Sequence, residues 1–161
     1  MKRLSKIFYS MICMVICFTF MSFSVSAAGP RDGEVVDGSL LTSDTHSEGT
    51  WNALARGALL SSGTSGISNG GNGIVYISGK TICNRVCDNV EVNLYLERLE
   101  GNSWVSVVQR YNTSYNTTQA TYSTSILVNK GYYYRVKGGH TATKGSTTDM
   151  TTSYSNGIYI G

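Results

Sequence analysis

The chain has 161 residues, 13 Lys and Arg against 10 Asp and Glu, four Cys, 18 Gly and a single Pro. That is the size of one domain, and 41% hydrophobic with 11% aromatic residues is enough for a core, which excludes a wholly disordered chain. One Pro excludes collagen-like and proline-rich linker architectures, and 14% charged residues among many Ser, Thr, Asn and Gly predict β structure with polar turns.

Lys2, Arg3 and Lys6 precede an apolar run from Ile7 to Val25, and Ser26-Ala27-Ala28 then supplies small residues. This order of basic, apolar and small residues is that of a secretory signal over residues 1–28, with a mature chain starting at Ala28 or Gly29. A run of about 19 apolar residues could also span a bilayer, but the polar, acidic sequence that follows favours cleavage. Cys17 lies within the apolar run and does not fit a lipoprotein site. The expectation is therefore a secreted, extracellular protein with no membrane association after cleavage. Loss of Lys2, Arg3 and Lys6 leaves ten basic residues against ten acidic ones, so the basic character belongs to the targeting segment. Nucleic-acid binding, which needs a clustered positive field, loses its compositional support, and no nucleic-acid partner is expected.

Residues 29–54 hold Asp32, Glu34, Asp37, Asp44 and Glu48 against Arg31 alone, with isolated apolar residues and no sustained period. They read as an acidic flexible leader, with Trp51 available to dock its end. From residue 55 to 161 short apolar runs alternate with turn clusters. Seven strands are predicted: Arg56 to Leu60, Gly73 to Cys83, Val90 to Leu99, Trp104 to Arg110, Ala120 to Val128, Tyr132 to Lys137 and Asp149 to Ile160. The strongest is the third, where Val90, Val92, Leu94 and Leu96 alternate with Glu91, Asn93, Tyr95 and Glu97, a period of two that buries one face. Glu100-Gly101-Asn102-Ser103 joins it to the next strand as a hairpin. Ser68 to Gly73, Asn129-Lys130-Gly131 and Lys144-Gly145-Ser146 read as further turns. About 105 residues in seven antiparallel strands predict an all-β, immunoglobulin or fibronectin-III-like β-sandwich.

The run Val128-Asn129-Lys130-Gly131-Tyr132-Tyr133-Tyr134-Arg135-Val136 resembles the entry to the sixth strand of fibronectin-III-like sandwiches. The resemblance makes Gly131 the turn residue and Tyr134 a tyrosine corner, its hydroxyl tied back to the preceding loop. Strand parity then buries Tyr132, Tyr134 and Val136 and exposes Tyr133, Arg135 and Lys137.

The remaining polar groups offer little catalytic chemistry. Cys83 and Cys87 survive processing, and in an exported protein a disulfide is the default. On one straight strand they would lie about 13 Å apart, whereas a disulfide needs Cα atoms within about 7 Å. A bond thus requires a turn at Asn84-Arg85-Val86; two separated buried thiols, or a metal or redox pair, are the alternatives. With only His46 and His140 to join them, no metal site and no cofactor are expected. Neither His has a nucleophile or metalloprotease spacing near it, so both read as surface residues. Glu91, Glu97 and Glu100 read as solvated charges rather than a convergent glycosidase pair. No catalytic residue and no enzyme activity are expected. Asn112-Thr113-Ser114 and Asn116-Thr117-Thr118 match glycosylation acceptors, which matter only in a eukaryotic host.

The tyrosines are more suggestive. Tyr111, Tyr115, Tyr122, Tyr133, Tyr154 and Tyr159 are too many for so small a core and sit among Asn and Thr. Exposed, they could stack on sugar rings or form a protein-binding face, with Tyr111, Tyr115 and Tyr133 as the binding candidates; cross-strand Tyr and Thr pairing within the sheet is the plainer alternative.

Arg56-Gly57, Leu60 to Asn69, Val92 to Leu99, Lys130 to Lys137 and the terminal Asn156-Gly157-Ile158-Tyr159-Ile160 together resemble small secreted proteins of Gram-positive bacteria, grouped only as a domain of unknown function. The resemblance implies secretion and a bacterial source and carries no catalytic residues. The expected function is a secreted, non-enzymatic binding module for a cell-surface polymer or protein, with a bacteriocin-like antagonist as the alternative.

Overall fold

The computed structural model describes residues 28–37, 39–53 and 59–161. The expected signal segment up to residue 27, and residues 56–58 of the first expected strand, lie outside the described residues. Nine strands follow in chain order: β1 (Val35–Val36), β2 (Ser39–Thr42), β3 (His46–Asn52), β4 (Leu60–Gly71), β5 (Ile74–Glu100), β6 (Ser103–Leu127), β7 (Tyr132–Lys144), β8 (Thr147–Tyr154) and β9 (Gly157–Ile160). They form one sheet in the order β1-β2-β9-β7-β5-β4-β3, with β6 also on β5 and β8 also on β7.

The fold turns on the hairpin of β5 and β6. At about 3.3 Å per residue, the 27 residues of β5 would reach roughly 90 Å if straight, several times the length of an ordinary strand. It bends instead. Between the pairs Ile82↔Gln119 and Cys87↔Thr117, β5 advances five residues while β6 advances two, so a wide bulge opens at residues 83–86. On β6 the bend falls beside Asn116, whose φ is 49°. The surplus residues also reset strand parity: Val75 and Ile77 point inward before the bulge, Val90, Val92, Leu94 and Leu96 after it.

The two halves of β5 therefore face each other across the core. A Cβ on Gly79 would meet Leu94 Cδ2 at 2.5 Å, and Thr81 Oγ1 donates to the Glu91 carbonyl at 2.8 Å. Leu60 and Ile67 of β4, Tyr134, Val136 and Ala142 of β7, and Ile158 and Ile160 of β9 fill the space between. Each such aliphatic side chain contributes about 1.5–3 kcal/mol by leaving water.

The all-β class is as expected, but the architecture is a single curled, mixed sheet, a half-barrel, in place of a seven-stranded antiparallel sandwich. Two physical features account for the difference. Polar residues at the bulge make one continuous strand look like two, and residues 29–53 do not hang free as a leader. β3 pairs with β4 over seven register positions from His46↔Ser68 to Asn52↔Ser62, and Trp51 packs against the core. β2 runs parallel to β9 through Leu41↔Gly157 and Thr42↔Ile158. Single apolar anchors and backbone pairing hold this segment, so no periodic pattern announces it.

The expected turns at residues 101–102, 129–131 and 145–146 are present, with φ of 62° at Gly101, 87° at Gly131 and 58° at Gly145. Tyr134 is buried and its hydroxyl donates to the Asn129 carbonyl at 2.8 Å, the tie-back expected of it. The exposure of its neighbours differs from that expected: Tyr132 is exposed, whereas Tyr133 and Arg135 are buried. Tyr133 belongs to a second apolar cluster on the outer face of the sheet, where Val36 and Leu41 of the N-terminal segment cover it and Leu99, with Trp104 and Tyr159 packed alongside; the Arg135 guanidinium lies against Trp104.

Candidate functional site

Beyond that covered end, the outer face of β6, β5, β7 and β8 is open. Strand register places its side chains in rows: Thr113, Glu91, Thr141 and Met150; Tyr111, Asn93, Gly139 and Thr152; Gln109, Tyr95, Lys137 and Tyr154. The middle of these rows is a groove of about 470 Å³ lined by Glu91, Asn93, Tyr95, Lys137, Thr141 and Met150, among others. Polar side chains are held in place by one another. Gln109 Nε2 donates to Asn93 Oδ1 at 3.0 Å, Asn93 Nδ2 donates to the Tyr95 hydroxyl at 3.0 Å, and Thr113 Oγ1 donates to Glu91 Oε2 at 3.3 Å.

A column of alternating rings and cations runs along one side of the groove. The Arg135 guanidinium lies 4.4 Å from the Trp104 ring centroid and 4.9 Å from that of Tyr154. Lys137 Nζ follows at 5.9 Å from Tyr154 and 5.8 Å from Tyr95. Such stacking orients aromatic rings that would otherwise rotate in water. At its base Arg135 Nε donates to Glu97 Oε2 at 2.7 Å, both residues being buried. Glu97 is thus an internal ion-pair partner and not the solvated charge expected; Glu100, paired with Arg98, is exposed.

The candidate tyrosines divide. Tyr111 and Tyr115 are 66% and 69% exposed and share the groove's face of β6 by parity. Tyr133 is 3% exposed and takes no part: its hydroxyl donates to Asp32 Oδ1, and burial together with that carboxylate pushes it up to about 12. Asn93, Tyr95, Gln109 and Lys137 were not singled out by the sequence. The alternation of residues 90–97 already marks Asn93 and Tyr95 as wet-faced, but only the register with β6 and β7 brings Gln109 and Lys137 beside them.

Beneath the groove lies His140, mid-strand and 1% exposed, where a surface residue was expected. Its Nδ1 is 2.8 Å from Thr81 Oγ1, and its Nε2 is 2.8 Å from Ser153 Oγ, which in turn lies 3.0 Å from Ser65 Oγ. Since Thr81 spends its proton on the Glu91 carbonyl, its oxygen is left to accept from Nδ1. The other sequence His, His46, is exposed on β3 with Nδ1 2.7 Å from Ser68 Oγ.

Cys83 and Cys87 flank the bulge with both thiols free and buried, and Cys87 Sγ donates to the Arg85 carbonyl at 3.4 Å. Burial, reinforced by the neighbouring Cys87, pushes Cys83 up to about 12. Among the described residues, no three His, Cys, Asp or Glu side chains group as metal ligands.

These features define an all-β half-barrel with one open face of tyrosine, amide and charged side chains. The chain belongs to a family of unknown function, DUF6147, whose model matches residues 31–158. That span takes in β1 to β8, so the N-terminal strands are part of the family's domain. No curated protein matches the chain.

Proposed function

We propose that this protein is a secreted, non-enzymatic binding module that holds a hydroxyl-rich cell-surface polymer against the open face of β6, β5, β7 and β8. The observation that carries this reading is the groove of Glu91, Asn93, Tyr95 and Lys137, flanked by the exposed rings of Tyr111 and Tyr154. Sugar rings present apolar C–H faces that stack on tyrosine, and hydroxyls that both donate and accept, which an amide, a carboxylate and an ammonium side by side can match. Glu91 is the one carboxylate among the described groove residues, whereas hydrolysis of a glycosidic bond ordinarily uses two. Co-sedimentation with purified peptidoglycan and wall polysaccharide tests the proposal. Retention is expected, and Tyr111→Ala should weaken it roughly tenfold, the loss of one stacked ring, without changing the melting temperature. No retention on any wall polymer, or equal retention by the variant, would count against this face.

Export also bears on the cysteine pair. Outside the cell, Cys83 and Cys87 are expected to form an Sγ–Sγ bond across the bulge; two thiol protons go to solvent and two electrons to the disulfide of a thiol–disulfide oxidoreductase. Alkylation of the unfolded, exported protein should then label neither cysteine before reduction and both after it. Full labelling without reduction would show that the pair stays reduced.

A further inference from the structure

At the very start of the described chain a glycine is locked into a carboxylate socket. Gly29 N donates to Asp32 Oδ2 at 2.9 Å, and the Asp32 backbone N–H returns to the Gly29 carbonyl at 3.3 Å. The other Asp32 oxygen accepts from the Tyr133 hydroxyl, which itself accepts from Arg31 N at 3.3 Å. Arg31 fastens the same turn to the β5–β6 hairpin, donating to Glu34 at 2.7 Å, to the Gly101 carbonyl and to Asn102 Oδ1 at 2.9 Å. Gly29 is buried, and the space is closed to any larger residue: a Cβ there would lie 2.0 Å from Tyr133 Oη and 2.9 Å from Tyr159 Cγ. Ala28, one position earlier, is exposed.

Ser26 and Ala28 stand three and one residues before Gly29, the two positions that a signal peptidase requires to be small. Resting on the export reading above, we infer that processing cuts between Ala28 and Gly29, and that the new α-ammonium of Gly29 stays in the Asp32 socket as an ion pair that clamps the N-terminal segment over the outer apolar cluster. In the cleavage, water adds across the Ala28–Gly29 peptide bond, leaving a carboxylate on Ala28 and the amine on Gly29. A peptide N–H gives Asp32 one neutral donor. The ammonium gives it three donors and a counter-charge at the same place, and charge-assisted bonds are the stronger kind. A cut one residue earlier would carry the charge about 3.8 Å along the chain, out of the socket and into solvent. In the uncut chain the Gly29 N–H already occupies the socket and Val36 and Leu41 already cover Leu99, so cleavage strengthens a clamp that is in place.

Two measurements decide this. Expressed with its own residues 1–28 in a secreting Gram-positive host, the protein should reach the medium with Gly29 as its sole N-terminus by Edman sequencing and intact mass. A product exported with another first residue overturns the cleavage site while leaving export standing, and no product in the medium overturns the export reading itself. Separately, protein beginning at Gly29 with a free amine is compared with protein retaining Ala27 and Ala28, each with Asp32 or Asp32→Asn. The free amine should raise the folding equilibrium constant roughly fivefold with Asp32 present, and the difference should vanish in Asp32→Asn. Equal stability of the two N-termini with Asp32 in place would overturn the clamp whatever the route of export.

Discussion

Glu97→Ala should destabilise the protein by about 3–5 kcal/mol, read as a lower midpoint in urea with little change in slope. The side chain it removes is the carboxylate that neutralises Arg135 at 2.7 Å inside the sheet face, where both residues are below a tenth exposed. The guanidinium keeps its stacking on Trp104 and Tyr154, which offsets part of the loss, but two ring quadrupoles do not replace a full negative charge. Removing both charges is a different experiment. With Arg135→Met and Glu97→Met together, no buried charge is left without its counter-ion and the rings retain an apolar neighbour, so most of the stability should return. A loss below about 1 kcal/mol in Glu97→Ala would show that water reaches Arg135 and that the pair behaves as a surface one.

The same two residues show what could and could not be read in advance. Alternation over residues 90–97 placed Glu97 on the outer face correctly, and parity did the same for Tyr133 and Arg135. Face and exposure are separate quantities, however. Exposure depended on what lay over that face: Val36 and Leu41, two isolated apolar residues in a segment with no period of its own, pack with Tyr133, and the rings of Trp104 and Tyr154 lie against Arg135. The bend in β5 was hidden for the opposite reason: its local sequence, Asn84-Arg85-Val86, has the polarity of a connecting turn, while backbone pairing with β6 resumes on its far side and makes it a bulge. The proposed binding face was half legible. Tyr111 and Tyr115 stood out by excess of aromatics over core space, but the groove beside them is a product of register across four strands, which no single segment encodes.

Acid should unfold this protein through His140, and over a defined window. Burial lowers the ring from its ordinary 6.5 to about 4, and no other cause contributes. The groups around it are hydroxyls: Thr81 on one nitrogen, Ser153 with Ser65 behind it on the other. Groove neighbours Glu91 and Lys137 carry opposite charges above it, and neither hydrogen-bonds to the ring. The native state therefore keeps the imidazole neutral while the unfolded chain takes up a proton below pH 6.5. Between 6.5 and 4 the unfolded state binds more protons than the folded one, so stability falls as pH falls. All of the contribution is present above pH 6.5, and by pH 4 about 2–3 kcal/mol is lost, at 1.36 kcal/mol for each unit of difference. Urea unfolding at half-unit steps from pH 7 to pH 4 measures it directly. His140→Gln keeps a donor and an acceptor near Thr81 and Ser153 without a titrating ring; it should start less stable at pH 7 and show a visibly flatter slope through the same window. A wild-type slope unchanged in His140→Gln would move the acid response to the carboxylates instead.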